Sequence, residues 1–222
     1  MITSTTRTTT FLTTEFGEFE IPFMQPECSE NSPIIRKTDT GFIIGIIYHD
    51  CYDGPDIFKD WDGNGEILSF HRHAGAEMHQ RAYSAMGTYA DNGEPANPYH
   101  RVLSCYQHGC EVWSLKGQGE QCHFDTAQVA GVWIPDKSAI ENIDAITERD
   151  GKDKNEVIDT YVKRILDTYN KVLAGEVYGI CFAHYDLDRN LVNQDACWQY
   201  VGWKDTVEEM KSQLGVLCAN EK

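Results

Sequence analysis

From Gly41 to Asp50 the chain reads Gly-Phe-Ile-Ile-Gly-Ile-Ile-Tyr-His-Asp. Between Phe42 and Tyr48 no polar residue interrupts the run, which is rich in isoleucine and short for a buried helix. Successive strand residues point to opposite faces, so an unbroken apolar run specifies a strand buried on both sides. The segment therefore predicts the central strand of a layered fold.

The strongest helical signal is Asn155–Gly175. Val157, Ile158, Tyr161, Val162, Ile165, Leu166, Tyr169, Val172 and Leu173 recur at helical spacing between charged residues, and Gly175 is placed to end the helix. Strands are predicted around it. Glu66–His73 alternates; His100–Gln107 and Cys110–Gly117 flank His108 and Gly109 as a hairpin; Gln128–Pro135, Glu176–Asp186 and Ala196–Trp203 read as further strands. Asp186–Asp195 reads as a polar turn, residues 74–99 as a short helix followed by a loop, and Thr206–Leu217 as a short closing helix. Neighbouring strands joined by turns favour an antiparallel or mixed sheet, carrying one long amphipathic helix and short helices. The expected class is α+β. Residues 1–30 form a Thr-rich segment, an edge strand or a tail, and residues 31–222 a single domain.

Composition narrows the function classes. The 222 residues carry 35 acidic against 19 basic side chains, a formal charge of −16, which repels phosphate backbones and anionic membranes and favours cationic partners. High charge also serves solubility alone. Residues 1–135 hold 18 acids against 8 bases and residues 136–222 hold 17 against 11, so the first part is the more one-sided. Eight cysteines are scattered through a chain too long to be a disulfide-stapled mini-domain, and the opening residues lack a continuous apolar stretch of signal type. Reduced, buried thiols in a cytosol are expected, with no membrane span and no cofactor. Neither GxxxxGK[ST] nor a strand-following GxGxxG occurs, which argues against nucleotide-binding folds.

Three groups of residues carry chemical potential. The first is the acidic stretch Asp50, Asp53, Asp56, Asp60, Asp62 and Glu66, opposed only by Lys59, a surface suited to a basic partner. Within it, Asp60–Ile67 begins like a calcium loop, with oxygens at positions 1, 3 and 5 and Gly65 at position 6. Position 12 is His71 where that loop needs a bidentate Glu, so an Asp/Gly turn is the better reading. The second group is His71, Arg72 and His73 with Glu77 and His79. On a strand His71 and His73 share a face, which allows a metal, but no HExxH spacing supports it. Asp62, His71 and Arg72 could instead serve as acid, base and anion holder of a small hydrolase or metal-dependent enzyme. The third group is Cys105, His108, Cys110, Cys122, His123 and Asp125, whose spacing fits no standard zinc ribbon. Buried thiols are the expected reading, with a structural zinc or a Cys/His pair as the alternatives these residue types allow.

An ordered series of segments resembles an uncharacterised protein family of bacteriophages, archaeal viruses and mobile elements. It comprises Trp61-Asp62, Gly65 and Phe70-His71-Arg72; Phe124-Asp125 with Gln128-Val129; Leu173 through Tyr178-Gly179; and Cys197-Trp198. Together these span residues 60 to 202. The resemblance implies a phage-type accessory protein in a host cytoplasm and brings no activity with it. The family has His-Arg-Arg where this chain has His71-Arg72-His73, which counts against His73 as a ligand. Acidity and resemblance together predict a binding protein for a basic host or competitor protein. One form would be an inhibitor of a defence or nucleic-acid-processing factor acting through negative charge.

Overall fold

A computed structural model describes residues 10–21, 33–50, 61–70, 74–86, 95 and 97–220. In chain order the elements are β1 (Thr10–Thr14), β2 (Gly17–Ile21), β3 (Ile34–Lys37), β4 (Gly41–His49), β5 (Glu66–Ser69), α1 (Ala76–Met86), β6 (Arg101–Gln107), β7 (Glu111–Leu115), β8 (Thr126–Ile134), α2 (Lys137–Asp150), α3 (Lys154–Leu173), β9 (Val177–Asp186), β10 (Leu191–Val201) and α4 (Trp203–Asn220). The fold is α+β, with every strand pair among the described residues antiparallel. Contacts divide the chain into two compact units, Met1–Tyr52 with Glu176–Lys222, and Asp53–Gly175.

In the first unit β4 lies inside the sheet β10-β9-β4-β3, as its unbroken apolar run requires. Ile43 and Ile47 face α4 and meet Val207, Met210 and Leu214; Phe42, Ile44, Ile46 and Tyr48 turn the other way, in one cluster with Phe19 and Ile21 of the β1–β2 hairpin. The four isoleucines are fully buried, each contributing about 1.5–3 kcal/mol. Thr10–Thr14 thus form a paired strand, and Tyr185 Oη donates to Glu20 O at 2.6 Å, fixing the hairpin to β9. The chain leaves β4 at Asp50 and returns at Val177, where Asp50 N donates to Val177 O at 2.8 Å. The second unit is thus a continuous insertion between two neighbouring strands.

The second unit is the sheet β5-β8-β6-β7 between helices. Leu103, Cys105, Trp113, Leu115 and Trp133 pack with Val157, Val162, Ile165 and Leu166 of α3 and Ile143 of α2; Leu68, Val102 and Val132 face Ala82 and Met86 of α1. Both large helices are explicitly capped. Asp153 accepts from Asn155 N and Glu156 N to start α3, while Gly151, at φ 63°, ends α2 by donating to Thr147 O.

Several boundaries differ from the sequence expectation. The helix α2 was not anticipated, because its buried side is only Ala139 and Ile143. The segment read as the turn Asp186–Asp195 is mostly strand: β10 starts at Leu191, and its polar residues reflect an edge position exposed on both faces. The closing helix starts at Trp203, earlier than its apolar pattern indicates.

Candidate functional site

The stretch that begins like a calcium loop is organised around a carboxylate. Asp136 caps α2 by accepting from Ala139 N at 2.7 Å, and its Oδ2 accepts from Gly63 N at 2.9 Å and Gly65 N at 3.0 Å. Two loop carbonyls are also occupied: Gly63 O accepts from Tyr161 Oη at 2.8 Å and Asn64 O from Trp133 Nε1 at 2.7 Å. The turn therefore offers N–H groups to an anion, the opposite polarity to a calcium loop. At Gly65, φ is +65° and a Cβ would meet Ile134 O at 2.3 Å, so no other residue fits without strain. Desolvation pushes the Asp136 carboxyl up, but backbone donors from Ala139, Gly65, Gly63 and Ser138 outweigh it and hold the group below its ordinary value.

The acidic stretch is divided between the two units. Asp50 is half-buried and belongs to the first; Asp62, exposed, and Glu66, half-buried, belong to the second. Glu66 is paired with Arg81. Asp53, Asp56 and Asp60 lie outside the described residues, as do His71, Arg72 and His73, two of which belong to the Asp62, His71 and Arg72 grouping. His79 sits half-buried on α1. Among the described residues no three His, Cys, Asp or Glu side chains are arranged to hold a metal ion.

The Cys/His group gathers at one end of the second sheet, around Asp125. Its Oδ2 lies 3.4 Å from Cys122 Sγ, which donates to it, and 3.3 Å from His108 Nδ1. His108 and Cys110 are exposed at the hairpin tip and His123 is exposed beside Phe124. Cys105 is buried, and burial, followed by the nearby Glu111, pushes its thiol up to about 11. A thiol so raised stays protonated at neutral pH and is a poor nucleophile. Phe70, Cys105, Gln107, Phe124, Asp125 and Val129 line an open cavity of about 520 Å³ here. Two segments distant in sequence, Phe70 and Phe124-Asp125, meet at this cavity.

A larger cavity of about 750 Å³ adjoins Arg101. Its guanidinium is consumed internally by Asp159 Oδ1 at 2.5 Å, Pro98 O at 2.8 Å and Asn155 Oδ1 at 3.0 Å. That arrangement joins the 97–101 segment to α3 and leaves little charge for a ligand.

Comparison of the chain with protein-family models, curated proteins and solved structures finds no match.

In the first unit the notable surface is β10. All residues from Leu191 to Gln199 are exposed, including Val192 at 68% and Trp198 at 45%. The register with β9 shifts between Cys197 and Tyr200, where Gln199 adopts φ 71°. This bulge sets the Trp198 indole over Gly179: a Cβ there would lie 2.1 Å from Trp198 Cε3. Asp195 lies on the strand, and Glu15, Glu18 and Glu20 are exposed on the β1–β2 hairpin of the same unit. Sequence reading overlooked Asp136, though an Asp just before a helix with a Gly after it is a cap signature. It read only the second part of the exposed strand, from Ala196, as strand, because the polar residues before it at an edge look like a loop.

Proposed function

We propose that this chain is a phage-type accessory protein that binds a cationic protein of a host or competitor and, by covering its basic surface, inhibits a defence or nucleic-acid-processing factor. The observation that carries the reading is β10, an edge strand of eleven residues with Leu191–Gln199 exposed on both faces. Among the described residues no strand pairs with its outer edge. Such an edge presents backbone N–H and C=O groups to an incoming strand, while Val192 and Trp198 offer apolar contact.

Charge supports a basic partner. The first unit holds 15 acids against 7 bases and the second 20 against 12, a net −8 in each. Net negative charge accelerates encounters with cationic proteins and discourages polyanions. The test is affinity capture from host lysate at two ionic strengths. Basic proteins should be retained at low salt and released at about 0.5 M, where the screening length falls to a few ångströms. Retention that ignores salt, or no cationic protein retained at all, would rule the proposal out.

A further inference from the structure

We infer that the cavity between Phe70 and Phe124 is a receptor for a single arginine side chain of the partner, a deepening that rests on the cationic-partner reading above. Phe124 is 90% exposed, although an isolated phenylalanine gains nothing from water, and it lines the same cavity as Asp125. Phe70 forms a second aromatic wall: its N–H donates to Ala130 O at 2.6 Å, and its ring lies 4.8 Å from that of Tyr83. Asp125 Oδ2 is engaged by Cys122 and His108, while Oδ1 meets no donor among the described residues. The carboxylate is thereby oriented by two neighbours and keeps one oxygen for a ligand.

This combination selects a particular chemistry. An exposed aromatic face attracts a cation, a neighbouring carboxylate supplies the counter-charge, and apolar walls accept a methylene stem. A guanidinium fits better than an ammonium, because it is planar, less strongly hydrated, and able to stack on a ring while donating to a carboxylate. Among the described residues no lysine or arginine lines the cavity, and its volume of about 520 Å³ lies in the range of ligand sites. Glu111 and Glu120 on neighbouring segments add to the negative field.

The experiment is an NMR titration of the full chain with an acetylated, amidated Gly-Ser-Arg-Ser-Gly peptide and its citrulline counterpart, which keeps the shape and loses the charge. The amides of Phe124–Ala130 should shift with the arginine peptide, with about tenfold weaker binding of the citrulline peptide. Phe124→Ala, at an exposed position with little folding cost, and Asp125→Asn should each weaken the arginine peptide by about fivefold or more. Equal affinity for the two peptides, no saturable shift at Phe124–Ala130, or an unimpaired Phe124→Ala variant would overturn the inference. A parallel titration with polyarginine at low salt separates the two levels. If wild type and Phe124→Ala bind it alike, the arginine site is wrong and the cationic-partner reading stands; if neither binds, that reading falls as well.

Discussion

At the residue scale, Asp136 does the work of several contacts at once. It starts α2 and holds the Gly63 and Gly65 amides, so Asp136→Ala should cost about 2–4 kcal/mol by urea denaturation, the sum of a lost cap and stranded donors. The pH dependence has a definite sign. Because the folded carboxyl lies below its ordinary value, its contribution is complete above the unfolded value of about 3.9 and is lost as pH falls through the lowered one. The stability gap between wild type and Asp136→Asn should be widest above about pH 5 and close towards pH 2. A gap that stayed constant across this range would mean the charge contributes nothing. Cysteines give a second residue-level prediction. Burial pushes Cys105 up to about 11 and Cys181 to about 12, whereas Cys110 and Cys197 are exposed. Iodoacetamide labelling of the native protein at pH 8, read by mass spectrometry, should modify Cys110 and Cys197 first and Cys105 and Cys181 only on unfolding.

At the scale of elements, the bulge in β10 ties the aim of Trp198 to the missing side chain of Gly179. Gly179→Ala places a methyl group inside the indole ring, so Trp198 must swing outward. Its emission should shift to the red with little change in far-ultraviolet circular dichroism; an unchanged spectrum would show that the ring has another seat. The same elements show what a sequence can reveal. The run Phe42–Tyr48 and the helical stripe from Val157 to Leu173 were legible, because burial on two faces, or on one stripe, leaves a periodic mark. Exposure leaves none, so the first part of β10, Leu191–Asp195, read as a turn, and α2 with two buried side chains passed unnoticed. The candidate cavity was less legible still. Phe124-Asp125 stood out locally, but only sheet pairing of β5 with β8 brings Phe70 beside it.

At the scale of the whole molecule, the two units have different chain logic. β4 and β9 are hydrogen-bonded along their length, yet everything from Asp53 to Gly175 intervenes between them. The described part of residues 53–175 has its own sheet, three helices and two apolar clusters, so that segment expressed alone should unfold cooperatively. Replacing it by a short Gly/Ser linker should leave the first unit folded, since Asp50 and Val177 are already within one hydrogen bond. Non-cooperative melting of one product would show that its core does not suffice alone.

The same placement has a mechanical consequence. If the molecule is held at Thr10 and Asn220 and stretched, both attachment points belong to the first unit, and tension cannot reach residues 53–175 while β4 and β9 stay paired. The second unit bears no load until the first gives way. Unravelling in an optical trap should therefore follow a fixed order, the sheet of the first unit and then that of the second.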